Sequence, residues 1–500
     1  MARRTLCGVL VVWLASASVA GTAPDLRLID AVRHQDRAAI AALFKQNVDV
    51  KAAQPDAATA LHWAAHLDDR ETVNLLLRAG ADVNAANDLG VTPLSLACSN
   101  ASDAMVERLL QAGADPNRIP ATGESPLMAA ARAGNAGIVK ALAAHGAQVN
   151  AKEPTRGQTA LMWAAANRRS DVVRVLIESG ADVRARSDAA PRSYQTGSRY
   201  VAYDDVRFVV TVDEGGYTPL LFAARSGDAA SADLLIAAGA NVNDAAPSGT
   251  APLVVAAHSG NAAVAALLLD KGADPLAAGA GYTALHAAVL RGDATLVKTL
   301  LTRGANPNTP LARGTPVRRY SADFAFNAEL AGATPFWLAA RYGDTDVMRA
   351  LADGGADTRF VMADGTSVLM AAVAASSGFG SGDRRERYLS PVQVAERNER
   401  DMERLTFDTV KLAIALGLDV NHANKAGDTA LHLAASQGLA TVIRLLGDAG
   451  ARVDVKNQRG VTPLAMASAR PRAVEGGVAG PSDGYRQAAI DALRQLGAKE

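Results

Sequence analysis

One four-residue phrase returns along the chain at a nearly fixed interval, and nothing else in the sequence restricts the fold as tightly. It reads Thr59-Ala-Leu-His62, Thr92-Pro-Leu-Ser95, Ser125-Pro-Leu-Met128, Thr159-Ala-Leu-Met162, Thr218-Pro-Leu-Leu221 and Ala251-Pro-Leu-Val254. It continues as Thr283-Ala-Leu-His286, Thr334-Pro-Phe-Trp337, Ser367-Val-Leu-Met370, Thr429-Ala-Leu-His432 and Thr462-Pro-Leu-Ala465. The steps 92 − 59, 125 − 92, 251 − 218 and 462 − 429 all equal 33. A period of about 33 marks a stacked array, in which each unit buries its apolar face only against its neighbours. A chain of 500 residues would otherwise suggest three or four domains of roughly 150 residues each.

Residues 218 to 250 show what one period encodes. The Thr218 hydroxyl suits a helix N-cap, and Pro219 suits the first helical turn, where its missing N–H costs nothing. Leu220 to Ala224 form a short apolar helix that Gly227 can end in a left-handed conformation. Ala230, Leu234, Leu235 and Ile236 have the spacing of a second helix, which Gly239 ends. Ala240-Asn-Val-Asn243 is extended, and Ser248-Gly249 supplies a turn before the next cap. The unit is helix, turn, helix and projecting hairpin.

With its Thr-Pro-Leu-His openings and its Gly-Ala-Asp-Val-Asn closes, the chain resembles the ankyrin repeat family. The closes include Gly80-Ala-Asp-Val-Asn84, Gly113-Ala-Asp-Pro-Asn117, Gly180-Ala-Asp-Val183, Gly272-Ala-Asp-Pro275 and Gly304-Ala-Asn-Pro-Asn308. The resemblance covers residues 25–497 and implies an all-α repeat solenoid, a curved stack of about twelve helix-turn-helix units with hairpin fingers. Residues 25–58 read as an N-terminal capping repeat with Arg27, Arg33 and Arg37 facing water. At His62, His286 and His432 the family uses the imidazole to bond the neighbouring helix start. The final helix is expected over Tyr485 to Leu496, after a Pro-, Gly- and Ser-rich interruption at 471–484.

Three further interruptions fall near 185–213, 309–331 and 376–406. The steps 218 − 159, 334 − 283 and 429 − 367 are 59, 51 and 62, so subtracting 33 leaves 26, 18 and 29 extra residues. The first two follow a Gly-Ala-Asp or Gly-Ala-Asn close and therefore extend fingers. The first carries Tyr194, Tyr200, Tyr203, Phe208 and a β-like run, Val206 to Val212; the second carries Arg318, Arg319, Tyr320, Phe324 and Phe326. Flexible linkers are poor in aromatics, so these segments are expected to fold onto the stack or onto a partner. The third enters after Ser376, between the two helices of one repeat. It begins with a mobile Gly378-Phe-Gly-Ser-Gly382 tip, then a capping box at Ser390-Pro391 and Gln393, and lengthens the second helix from Glu396 onward.

The bulk numbers exclude several classes of function. The 51 basic and 51 acidic side chains balance, so no net field draws nucleic acid or an anionic membrane. Residues 1–20 have the layout of a signal peptide: Arg3 and Arg4, an apolar stretch from Leu6 to Leu14, and Ser18-Val-Ala20 as a cleavage site. That stretch is too short to span a bilayer, and no other segment is a membrane candidate. The expected product is exported, periplasmic or secreted, and of bacterial type, with Cys98 as its one cysteine. No disulfide or cysteine-based metal site can form, and Cys98 reads as a buried inert thiol.

Catalytic constellations are missing. His62 and His66 are four apart on one helix, but no adjacent Glu or Cys completes a metal site. The Gly378–Gly382 segment lacks the Lys-Ser or Lys-Thr of a phosphate loop, and there is no Gly-x-Ser-x-Gly elbow. No cofactor is expected. Core packing accounts for Trp63 and Trp163.

The positions that ankyrin proteins present to partners hold His66, Arg132, Arg225, His258, Leu290, Arg291, Arg341 and Tyr342, with Trp337 close by and Tyr217 and Tyr282 just before two caps. Arg- and Tyr-rich strips are typical of binding hot spots, and ordinary surface variation is the competing explanation. The sequence therefore points to a monomeric, non-enzymatic scaffold that binds another protein through a groove and its finger insertions. A glycan- or peptidoglycan-binding module using exposed tyrosines, and a secreted effector binding a host protein, are the alternatives. The partner's identity is not encoded legibly.

Overall fold

The computed structural model describes residues 25–196, 208–314, 328–376, 399–469 and 483–499. The expected signal peptide, the glycine-rich tip and the capping box at Ser390 lie outside them. The described chain contains twelve helix pairs, from Arg27–Arg33 with Arg37–Lys45 to Pro463–Ser468 with Asp483–Gln495. It divides into two compact units, Met1–Ala129 and Ala130–Glu500.

The phrase works as its chemistry requires. Thr92 is extended and its hydroxyl accepts from Ser95 N at 3.2 Å, with Pro93 in the first turn. At Thr59 the cap is reciprocal. Thr59 N donates to His62 Nδ1 at 3.1 Å, which leaves the proton on Nε2, 2.9 Å from the Val91 carbonyl of the next repeat. His432 bridges to the Val461 carbonyl in the same way at 3.1 Å. The expected bridge to the neighbouring repeat is therefore present at His62 in the first unit and at His432 in the second.

First helices pack on first helices in both units, and in the second unit second helices also pack on second helices. The core is thin and built from alanine and leucine, as at Ala64, Ala65, Leu76 and Ala97, all fully buried. The first unit opens with the expected cap. Leu28, Ile29 and Val32 are buried, while Arg27, Arg33 and Arg37 are exposed. Cys98 is buried and its thiol pKa is pushed up by burial, as expected of an inert cysteine.

Asparagines clip the fingers of neighbouring repeats. Asn84 Nδ2 donates to the Gly113 carbonyl at 3.0 Å while its Oδ1 accepts from Asp115 N at 2.7 Å. The same two bonds recur in the second unit from Asn150 to Gly180 and Asp182 and from Asn243 to Gly272 and Asp274. They recur again from Asn308 to Gly355 and Asp357 and from Asn421 to Gly450 and Arg452.

The first insertion is an extended finger, as its sequence suggested. Strands β1 (Ala189–Thr196) and β2 (Phe208–Gly215) pair antiparallel, from Ala189 opposite Gly215 to Thr196 opposite Phe208. Ser187 N donates to the Tyr217 carbonyl at 3.0 Å, and Tyr217 N donates to Ser187 Oγ at 2.9 Å, closing the base. The second insertion is described only at its ends, where Leu311 is buried and hydrogen-bonded to Ala333. The third leads into a helix, Glu399–Ala415, of 17 residues against nine in a neighbour such as Ala440–Asp448. The expected lengthening is present, and Glu396, where it was expected to start, lies outside the described residues.

Candidate partner-binding face

The base of the hairpin finger adjoins a patch of half-exposed aromatic and basic groups in the second unit. Tyr217 stands two residues past the end of β2, and its ring meets Phe222 edge-on at 5.8 Å. Phe222 lies on the first helix of its repeat, Pro219–Ser226, and both rings are half-exposed. Arg225, one turn further on, is exposed. In the next repeat His258 is half-exposed and packs on Tyr282 at 5.7 Å between ring centres. Asn261 Nδ2 spans the two repeats by donating to the Ala224 and Arg225 carbonyls at 2.9 and 3.0 Å. This bond fixes the end of the helix that carries Arg225.

The remaining expected contact residues are placed differently. Tyr282 is only 8% exposed, and burial raises its phenol pKa. Trp337 and Tyr342 are 6% and 5% exposed, and Leu290 is 3% exposed, so none offers a partner much area. Trp337 stands where other repeats have histidine and does the same work: its Nε1–H donates to the Thr366 carbonyl at 3.3 Å, just before the next helix phrase. Arg291 Nε donates to the His258 carbonyl at 2.7 Å, and the Arg341 guanidinium donates to the Ala374 carbonyl. Both arginines bond the preceding or following repeat; neither presents a free head group. Burial also lowers the pKa of Arg341. The expected basic strip is thus exposed at Arg225, half-exposed at His258 and Arg291, and covered around Trp337 and Tyr342.

Tyr194 is paired in the backbone with Val210, and Phe208 opens β2 opposite Thr196. Tyr200, Tyr203, Arg318, Arg319, Tyr320 and Phe324 lie outside the described residues. Phe222 was not singled out in the sequence, although its phrase position varies among Trp63, Leu96, Trp163, Phe222 and Val255, as a surface position would. Trp63 is also half-exposed, with the Arg33 guanidinium 4.6 Å from its ring centre, so it belongs to the surface of the first unit as much as to its core.

Among the described residues no cluster of three or more His, Cys, Asp or Glu could hold a metal ion. No described helix is long and apolar enough to cross a membrane.

The comparisons with known proteins agree with this architecture. The family profile "Ankyrin repeats (3 copies)" matches residues 28–120, 119–187, 201–279, 220–310 and 403–475, and "Ankyrin repeat" matches 331–361. The chain belongs to the ankyrin repeat family. Ankyrin proteins are generally scaffolds for protein–protein interaction, and the fold is typically non-catalytic. The chain is similar to serine/threonine-protein kinase 12 of Arabidopsis thaliana, 44% identical over 70 residues. That stretch is 14% of this ankyrin chain and spans only 14% of the kinase's length. It is also similar to the human ASB11 ankyrin repeat domain, at 26% identity and a TM-score of 0.40, covering 50% of this chain and 98% of that one.

Proposed function

We propose that this ankyrin chain is an exported, non-catalytic scaffold that binds one partner protein at the base of its hairpin finger. The observation that carries this is the patch of Tyr217, Phe222, Arg225 and His258 beside β1 and β2. These are large side chains with part of their surface open, held by repeats that are themselves hydrogen-bonded together. Rigid aromatic and Arg groups give up little conformational freedom on binding, which is why such residues dominate interface energies. Export rests on the signal-like layout of residues 1–20 alone.

Capture from an exported fraction, followed by mass spectrometry, tests the proposal. One protein should be retained by the wild-type chain and lost with the double variant Phe222→Ala and Arg225→Ala. Retention of glycan or peptidoglycan fragments, with no protein sensitive to the double variant, would reject it.

A further inference from the structure

The clipping asparagine is replaced at several seams, by Arg184, Leu276 and Arg359, and the seam at Arg359 borders a cavity. In at least five seams among the described residues an Asn side chain satisfies a carbonyl and an N–H on the neighbouring finger. Between the fingers at 355–360 and 417–422 the same position is Arg359. A guanidinium has only donors, so it cannot accept from the Asp419 N–H. Among the described residues neither the Asp419 N–H nor the Gly417 carbonyl has a hydrogen-bond partner.

Beside this unmatched pair lies a cavity of about 330 Å³, lined by Phe360, Val361, Val368 and Leu418 as well as Gly417 and Asp419. That volume is at the low end for ligand pockets and suits a side chain better than a cofactor. His422, also in the lining, is already committed through Nε2 to the Gly365 carbonyl at 2.9 Å.

We propose that this cavity takes the primary carboxamide of an Asn or Gln side chain presented by a partner protein. The amide NH₂ donates to the Gly417 carbonyl and the amide oxygen accepts from the Asp419 N–H, as the chain's own asparagines do elsewhere. The methylenes of the incoming side chain lie on the apolar wall. A carboxylate cannot donate to Gly417, and a hydrocarbon satisfies neither group. The site rests on the protein-scaffold proposal, but its test needs no partner.

The test is an amide-resolved NMR titration of the full chain with N-acetyl-glutamine methylamide, alongside the glutamate and leucine analogues. The Asp419 amide should shift saturably with the glutamine probe, at about a tenth of the concentration either analogue needs. The substitution Arg359→Asn should close the seam internally and abolish the response. No saturable shift in the wild-type chain overturns the proposal. So does an equal response to the leucine probe, which would mark an apolar cavity only, and so does an undiminished response in Arg359→Asn. A silent titration leaves the scaffold proposal standing, and a failed partner capture leaves the titration result intact.

Discussion

His286 shows how much one buried side chain couples the stack to its surroundings. It is fully buried in its capping box, and burial holds its pKa down to about 4, from an ordinary value of 6.5. The folded chain therefore keeps this imidazole neutral where the unfolded chain takes up a proton. Stability should be insensitive to this group above pH 6.5 and should fall as the pH drops from 6.5 toward 4, by about 3 kcal/mol at the lower limit. His62 is shifted down by burial too, and adds in the same direction. Melting curves at pH 7 and pH 4 check this; equal stability at the two values would contradict it. A second residue-scale expectation concerns Arg168, which holds a φ of 58° where the flanking repeats have Gly134 and Gly227. A side chain there costs about 1 kcal/mol, so Arg168→Gly should raise stability by about that amount in chemical denaturation. The histidines and caps were legible because each is a local spacing rule. The burial of Trp337 and Tyr342 was not, since it depends on what covers the face, and a repeat template says only where a face is.

Single elements can be removed or lengthened because the stack is modular. A standard finger closes from Asn87 N to the Val91 carbonyl, a span of 91 − 87 = 4, and the hairpin finger closes from Ser187 to Tyr217, a span of 30. The excess of 26 corresponds to residues 190–215. Deleting them joins Ala189 to Gly216, whose φ of 64° resembles the 72° of Gly90 at the same turn position. That deletion should leave the melting temperature within a few degrees of wild type in a calorimetric scan, whereas a drop of ten degrees or more would show that the ribbon supports the stack. The long helix Glu399–Ala415 has a different use. The next second helix starts after Leu439, which has no capping side chain, and Glu403 Oε1 accepts from Thr441 N at 2.9 Å and from its hydroxyl at 2.8 Å. An element inserted in one repeat thus caps a helix in the next. Its existence was readable from the charged run after Glu396, but its purpose was not, because Glu403 and Thr441 are 38 positions apart.

At the scale of the whole molecule, each unit is a row of nearly equivalent repeats, and function must lie where equivalence fails. It fails at the hairpin finger, at the patch around Phe222 and Arg225, and at the open seam beside Asp419. The period located the insertions, yet it could not separate the arginine that stays exposed, Arg225, from Arg291 and Arg341, which bond backbone carbonyls of adjacent repeats. The measurement that tests the central claim most directly is the affinity of the captured partner for the wild-type chain and for the double variant Phe222→Ala and Arg225→Ala, both checked for equal melting. A loss of about 30-fold or more, equivalent to roughly 2 kcal/mol of hot-spot energy, is predicted. Equal affinity for the two chains would contradict the account.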